Sequence, residues 1–157
     1  MNYEIEVVAG EPENGCETIM AILGRGVVTN DDLNQLRRGQ FAEGIVNQQE
    51  AEALFALERA GIASGADWVE FFVEAITDYA VWQLRPTGIV TDAQGEWLLE
   101  QVDRTKSATS LAALCNVLAE ADQIPAWLPA AAHGRMAVGW DGVSEALEAA
   151  RVEQLAA

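Results

Sequence analysis

The segment GIVNQQE at residues 44–50 carries the signals that decide how this chain folds. A glycine precedes two β-branched residues, an asparagine that can cap a helix, and a glutamate three places after the cap. The Asn47 side chain can accept a hydrogen bond from the backbone N–H of Glu50, and the Glu50 carboxylate can reach back to the cap's own N–H. Two of the N–H groups that a helix start leaves unpaired are then satisfied. The segment therefore predicts a turn that begins an α-helix.

The same pattern occurs twice more, as GVVTNDD at residues 26–32 and GIVTDAQ at residues 88–94. In each copy the glycine allows a sharp or left-handed backbone, and the β-branched pair can pack on the first helical turn. A leucine follows ten residues after each glycine: Leu36, Leu54 and Leu98. Residues 67–70 (DWVE) form a fourth capping box without the glycine. We expect all four segments to start helices.

Apolar residues recur at helical spacing after these starts. At residues 67–84 they cover nearly the whole circumference, which is typical of a helix buried by its neighbours. The other predicted helices span residues 16–23, 30–38, 48–60, 92–104, 107–121, 125–128 and 144–154. The sequence therefore predicts an all-α fold, a single compact domain over residues 1–157 with about seven or eight helices packed around the central apolar helix at 67–84.

The chain ends carry weaker patterns. Residues 3–8 alternate as in a short strand, but no partner strand is identifiable, and residues 1–15 are predicted to be extended or loosely ordered. Pro129 is expected to interrupt or restart the short helix at residues 125–128, and residues 134–142 are expected to form a loop or a short helix.

Net charge is the strongest deviation in the composition. The chain has 25 acidic and 9 basic residues, a formal net charge of −16. Acid dominates residues 1–20 and 41–80, whereas residues 21–40 carry three arginines against two aspartates. Such a balance argues against direct binding of nucleic acid, which needs a basic surface, and permits cations, basic protein partners or mimicry of nucleic acid.

Neither a membrane span nor a disulfide framework is predicted. The N-terminus shows no secretory signal, and the longest apolar stretch, residues 68–84, is interrupted by three carboxylates. Each carboxylate at a bilayer centre costs about 2.5–3.5 kcal/mol. Two cysteines, Cys16 and Cys115, are too few for a disulfide framework, and Cys115 is expected to be a small buried hydrophobe. We therefore expect a cytoplasmic protein.

An acidic ladder runs along one face of the central helix, because Glu70, Glu74 and Asp78 are spaced four residues apart. Acids on a mostly buried helix are costly unless they face water, pair with arginine or bind a cation. In one interpretation Glu74 and Asp78 line a cleft for a metal or a basic ligand. In the other, Glu70 serves the capping box while Glu74 and Asp78 form a solvent stripe or pair with arginines. The arginines considered are Arg59, Arg85 and Arg104.

The repeated segment can be compared with an EF-hand loop, which has glycine at its sixth place, an aliphatic residue at its eighth and glutamate at its twelfth. Those places are occupied here by Gly44, Val46 and Glu50. The first, third and fifth places, which must supply oxygens, hold Gly39, Phe41 and Glu43. Calcium takes six to eight oxygen ligands, so ordinary EF-hand binding is excluded.

Residues 42–50 (AEGIVNQQE), set between two predicted helices, resemble the TerB-like tellurite-resistance helical domain, in which an Ala-Asp-Gly-x-Ile-x-x-x-Glu type segment recurs. Residues 119–124 (AEADQI) match more loosely, and the resemblance covers roughly residues 16–132. The resemblance implies a divalent-metal site that would rest on Glu43 and Glu50. Together with the acidic ladder, the candidate metal ligands are Glu43, Glu50, Glu74 and Asp78.

No motif indicates catalysis. His133 is the sole histidine and falls in a predicted loop, without a nucleophile elbow or a phosphate-binding glycine loop. Trp127 and Trp140 are candidates for an exposed contact patch. We expect a non-catalytic helical interaction module whose acidic surface meets a basic protein partner or a divalent cation. A nucleic-acid mimic, an enzyme of unknown class and a homodimer stay open as alternatives.

Overall fold

Seven α-helices follow one another in the computed structural model, which describes residues 15–137. They are α1 (Gly15–Arg25), α2 (Asn30–Gln35), α3 (Gln48–Arg59), α4 (Ala66–Thr77), α5 (Asp92–Thr105), α6 (Ala108–Glu120) and α7 (Leu128–Met136). A π-helical stretch extends α2 over Leu36–Gln40 and another extends α4 over Asp78–Gln83. No strand occurs between residues 15 and 137, and the predicted all-α fold is confirmed.

Several predictions fall on the chain ends. The strand at residues 3–8, the helix at residues 144–154 and Trp140 lie outside the described residues. Of the segment 1–15, only Gly15 is described, and it is the first residue of α1.

The three glycine-led segments begin helices, as predicted. Their glycines adopt positive φ angles, +83° at Gly26, +90° at Gly44 and +80° at Gly88, where side chains other than hydrogen are strained. Two segments close full capping boxes: Thr29 with Asp32, and Thr91 with Gln94. The leucine ten residues after each glycine is buried: Leu36, Leu54 and Leu98. The repeat is thus a scaffold that turns the chain and fixes one core residue per copy.

The second copy departs from the predicted hydrogen bonding in one detail. Asn47 accepts from the N–H of Glu50 at 2.8 Å, as expected. The Glu50 carboxylate, however, accepts from the N–H of Val46 at 3.0 Å, one residue before the cap. This carboxylate therefore closes the turn ahead of α3.

The fourth predicted capping box, at residues 67–70, is wrong. Gly65, with φ at +96°, is the N-cap of α4, and no side chain caps it. Asp67 consequently lies inside the first turn, where its charge suits the positive end of the helix dipole, and Glu70 is exposed. A box that was not predicted occurs at α6, where Ser107 and Ser110 cap each other. A serine at the third position can replace the usual glutamate or glutamine because its hydroxyl also accepts a hydrogen bond.

The central helix α4 packs mainly against α6, while α3 lies against α1 and α5. Trp68 and Phe72 of α4 and Phe55 of α3 are buried, and the Phe55 and Phe72 rings meet edge to face with centroids 5.1 Å apart. Burial on all sides was predicted as far as residue 84, but Trp82 is 43% exposed, and its indole N–H donates to Glu120 at 3.2 Å. None of the described helices has the length and apolarity that crossing a bilayer requires.

The glycine-led segments are also tied to loops that follow other helices. The N–H of Val90 donates to the carbonyl of Gln123 at 2.9 Å, and the N–H of Asp122 donates to the carbonyl of Gly88 at 2.8 Å. In the same way the N–H of Val28 donates to the carbonyl of Ile62 at 3.1 Å. These bonds fix the helix starts relative to distant parts of the chain.

Pro129 lies at the start of α7. The short helix predicted at residues 125–128 is wrong, because residues 125–127 are not helical. Helix α7 begins at Leu128 with Pro129 in its first turn, where a missing N–H costs little. His133, predicted to lie in a loop, belongs to α7, and so does Gly134, predicted to begin a loop or a short helix. The helix runs on as far as Met136.

Candidate functional site

Three of the four candidate metal ligands, Glu43, Glu74 and Asp78, line one cleft of about 380 Å³. We call it the acidic cleft; it lies between the turn that follows α2 and the exposed face of α4. Glu43 and Glu74 are exposed and Asp78 is half-buried. The fourth candidate, Glu50, is not part of the cleft, because it is 3% exposed and accepts the N–H of Val46. The structure thus brings Glu43 together with two members of the acidic ladder, Glu74 and Asp78, and separates Glu50 from them.

Helix geometry and one close backbone approach position these side chains. Glu74 and Asp78 are about one turn apart, so they share a face. Gly44 brings the loop against that face, since a Cβ added there would lie 2.6 Å from Oδ2 of Asp78. The Gln83 amide donates to the carbonyl of Glu43 at 3.3 Å and to Asp78 at 3.2 Å. Gln83 therefore links the end of α4 to the loop that carries Glu43.

The apolar wall of the cleft is aromatic. Phe41 and Phe71 lie with ring centroids 6.2 Å apart. The Arg37 guanidinium carbon is 5.9 Å from the centroid of Phe71, and the same side chain donates to the carbonyl of Asp67 at 3.4 Å. One end of the cleft is therefore cationic, and the Asp78 end is anionic.

Sequence reasoning missed four residues of this cleft: Arg37, Phe41, Phe71 and Gln83. One signal was available for Phe71, which precedes Glu74 by three residues and Asp78 by seven and so shares their helical face. No local pattern places Arg37 and Phe41 beside α4, because that contact joins segments about 30 residues apart in the chain.

In the described part of the chain, no ion pair neutralises the carboxylates of the cleft. Over residues 15–137 the side-chain ion pairs are Arg25 with Asp32 and Arg135 with Asp103. The side chains of Glu43 and Glu74 have no hydrogen-bond partner there, and Asp78 accepts only from Gln83. The alternative in which Glu74 and Asp78 pair with Arg59, Arg85 or Arg104 is therefore not what the structure shows.

The donor set suits an organic cation better than a hard metal ion. Across the described part of the chain no group of three or more His, Cys, Asp or Glu side chains is arranged to hold a metal. One oxygen of Asp78 already accepts from the Gln83 amide. The aromatic wall supplies no ligand oxygen, whereas calcium takes six to eight and magnesium demands six at short range.

Other sequence candidates have structural partners. Trp127 is 37% exposed, but its indole N–H donates to Asp92 at 3.0 Å and its ring packs on Gly95. Burial raises the pKa of the Cys115 thiol, and burial together with Glu50 raises that of Cys16. A raised pKa disfavours the reactive thiolate, so neither cysteine has the environment of an activated nucleophile.

Replacing Gly44 by alanine tests how the cleft is assembled, with Gly26→Ala as its matched control. Both glycines have positive φ, so each change should lower the free energy of unfolding by about 1–2 kcal/mol. Only Gly44→Ala adds a methyl group against Asp78 and Gln83, since a Cβ added at Gly26 would meet no described neighbour within 4 Å. We expect the NMR signals of the Gln83 side-chain amide to shift in Gly44→Ala alone. Equal shifts in both variants would contradict the close approach.

Comparison with protein families, with curated proteins and with solved structures gave no significant match. The interpretation of this chain therefore rests on the geometry of its own side chains.

Proposed function

We propose that the protein is a non-catalytic interaction module whose acidic cleft receives a basic side chain of a protein partner. The observation that carries this proposal is the pair of carboxylates, Glu43 and Glu74, that lie beside Asp78 at the cleft and have no ion-pair partner within residues 15–137. A lysine or arginine from a partner would form the ion pair that these carboxylates lack within residues 15–137.

The carboxylates of the cleft favour an arginine in particular. A guanidinium is planar, weakly hydrated and able to stack on an aromatic face while donating to carboxylates. The protein's own Arg37 already lies 5.9 Å from the centroid of Phe71 and occupies that end of the cleft. Because Arg37 repels a second cation, the partner's side chain should enter at the opposite end, beside Asp78.

The net charge of −16 also favours a basic partner, because it attracts basic surfaces at long range. A strongly acidic protein attracts basic surfaces and repels phosphate backbones, and this attraction raises the association rate most at low ionic strength. Direct binding to nucleic acid is correspondingly disfavoured. A cytoplasmic location and self-association as a homodimer stay predictions of the sequence.

The experiment is an NMR titration of the ¹⁵N-labelled full chain with the blocked tripeptide acetyl-Gly-Arg-Gly-amide. We expect weak, saturable shifts centred on Gly44, Glu74 and Asp78, and none with acetyl-Gly-Gln-Gly-amide. The combined change Glu74→Gln and Asp78→Asn should weaken binding about tenfold, since exposed ion pairs contribute up to about 1 kcal/mol each. Glu70→Gln, on the same helix but outside the cleft, should leave binding unchanged.

Arg37→Gln gives a result of opposite sign. Removing this cation should increase the affinity for the arginine tripeptide by a few fold, because the repulsion between Arg37 and the tripeptide is lost. A structural role for Arg37 would instead weaken binding or leave it unchanged. The proposal fails if the arginine tripeptide gives no saturable shifts, or if Glu70→Gln weakens binding as much as the double variant.

The same variants also test two alternative functions. The metal interpretation, which the TerB-like resemblance favours, predicts that calcium, magnesium or zinc raises the melting temperature and that the double variant abolishes the rise. Glu43→Gln should reduce that rise as well. The nucleic-acid-mimic interpretation predicts salt-sensitive binding of a basic DNA-binding protein without any dependence on metal. Either result, with no effect of the arginine tripeptide, would replace the proposal.

A further inference from the structure

The close approach of Gly44 to Asp78 recurs at the third glycine-led segment. A Cβ added at Gly88 would lie 2.7 Å from Oδ2 of Asp122, and one added at Gly44 would lie 2.6 Å from Oδ2 of Asp78. The same point at Gly88 is 3.6 Å from Cζ3 of Trp82. The Asp122 carboxylate and the Trp82 ring are therefore neighbours, although they are far apart in the chain.

Trp82 has a carboxylate at each end of its indole ring. The indole N–H donates to Oε1 of Glu120 at 3.2 Å, and the Cζ3 edge beside Asp122 lies across the ring from that N–H. Trp82 is 43% exposed, and Glu120 and Asp122 are exposed as well. We call the ring with these two carboxylates the Trp82 face.

The charges of the Trp82 face favour a cation. Neither Glu120 nor Asp122 forms an ion pair with another described residue. The cation–π contact within residues 15–137 belongs to the acidic cleft, so no described cation covers the Trp82 ring. Arg85, three residues further along the chain, is exposed and forms no ion pair in the same range. Two carboxylates against this one arginine leave the face negative.

An exposed indole between two carboxylates matches the chemistry of a guanidinium. Tryptophan attracts cations more strongly than the other aromatic side chains, and a planar guanidinium can stack on it. Its N–H groups then point outward at the edges of the ring, where Glu120 and Asp122 lie. In the acidic cleft, by contrast, the protein's own Arg37 already lies over the aromatic ring.

Trp127 is a matched control, because it shares the exposure of Trp82 without the second carboxylate. It is 37% exposed, and its indole N–H also donates to a carboxylate, that of Asp92. The far edge of its ring, however, packs on Gly95, where the other close neighbour is Pro125. A cation on Trp127 would therefore meet one carboxylate instead of two.

We propose that the Trp82 face binds an arginine side chain of a protein partner, as a site separate from the acidic cleft. The guanidinium stacks on the indole and donates to Asp122 at one end and to Glu120 at the other. Glu120 keeps its bond from the indole N–H, since a carboxylate accepts several donors. The identity of the partner as a basic protein rests on the proposed function, whereas the site itself does not.

The test is an NMR titration of the ¹⁵N-labelled full chain with acetyl-Gly-Arg-Gly-amide, followed at the indole N–H signals. We expect a saturable shift at Trp82 and none at Trp127. Acetyl-Gly-Lys-Gly-amide should bind several fold more weakly, because an ammonium group does not stack and donate at both ends of the ring. Asp122→Asn should weaken the binding measured at Trp82 about threefold to fivefold. Glu70→Gln, an exposed change on α4, should leave that binding unchanged.

Substitution of Trp82 itself separates the ring from the carboxylates. Trp82→Leu keeps an apolar side chain but removes the aromatic face, so the saturable shift of the Asp122 backbone N–H should disappear. Trp82→Phe keeps a ring and should retain part of the affinity. The melting temperature of each variant shows whether its fold is intact, and Asp122→Asn tests the site without any change of the ring.

The combined change Glu74→Gln and Asp78→Asn distinguishes the two sites. It should weaken the binding measured at Gly44 and leave the binding measured at Trp82 unchanged. Shifts at Gly44 without shifts at Trp82 would overturn this inference and keep the proposed function, and the reverse would overturn the proposed function alone. An equal shift at Trp127, or equal binding of the lysine tripeptide, would also overturn the inference.

Discussion

Phe72→Ala is expected to lower the free energy of unfolding by about 3–5 kcal/mol, the largest effect of any single substitution considered. Phe72 is 0% exposed at the centre of α4. Its ring meets Phe55 edge to face at 5.1 Å and lies 5.9 Å from the ring of Trp68. Truncation removes these contacts and leaves a cavity that the surrounding helices fill only in part. Since domains of this size are stable by about 5–15 kcal/mol, much of the total would be lost.

Chemical denaturation followed by circular dichroism measures this loss. The matched control is Val46→Ala, because Val46 is 69% exposed although it belongs to a glycine-led segment. The control should change stability by less than about 0.5 kcal/mol. A loss below about 1 kcal/mol for Phe72→Ala would show that the core is not centred on α4.

Asp32→Ala is expected to cost about 2–3 kcal/mol, because one side chain serves two partners. Asp32 is 7% exposed; its carboxylate accepts from the Thr29 N–H at 2.9 Å and from Arg25 at 2.6 Å. Removing it leaves the first turn of α2 uncapped on one side and Arg25 unpaired. The Arg25 side chain is 50% exposed, so solvent screens its ion pair with Asp32. The lost helix cap therefore accounts for most of the expected loss of stability.

The pH dependence of this variant has a definite sign. Burial raises the pKa of Asp32, but the Arg25 guanidinium and the hydrogen bonds from Thr29 outweigh burial and hold that pKa below its ordinary value. The folded state therefore prefers the ionised carboxylate. Its contribution is fully present above the unfolded pKa of about 3.9 and is lost as pH falls through the lower folded pKa.

Urea denaturation at a series of pH values checks both parts of this prediction. The stability difference between the natural protein and Asp32→Ala should be constant above about pH 5 and shrink below about pH 4. The neighbouring Asp31→Ala, an exposed carboxylate in the same helical turn, should cost less than about 1 kcal/mol. A difference that grows on acidification would contradict the assigned direction of the pKa.

Local sequence patterns predicted the helices well because their determinants lie within a few residues. A capping box joins a side chain to a backbone N–H three residues away, so Thr29, Asn47 and Thr91 could be identified without tertiary information. The same reasoning failed at Asp67, because Gly65 supplied a competing turn one residue ahead of the helix. It also missed the capping box at Ser107, because Ser110 stands where the usual pattern has glutamate or glutamine.

The candidate site was predictable in part. Spacing alone placed Glu74 and Asp78 on one face of α4. Glu50 was proposed instead from the TerB-like resemblance, and its carboxylate is buried against the Val46 N–H. A glutamate at the third position of a helix can be a cap or a ligand, and burial decides between the two roles. Sequence spacing does not report burial of a single polar residue.

The sequence by itself determined where most helices begin and which faces they bury, since hydrogen bonds and apolar spacing within one or two turns suffice for both. Only the tertiary structure decided that Glu43 would lie beside Glu74 and Asp78, and that Arg37 and Phe41 would lie across from Phe71. Those arrangements depend on how helices distant in the chain pack against each other, and no local pattern specifies that packing.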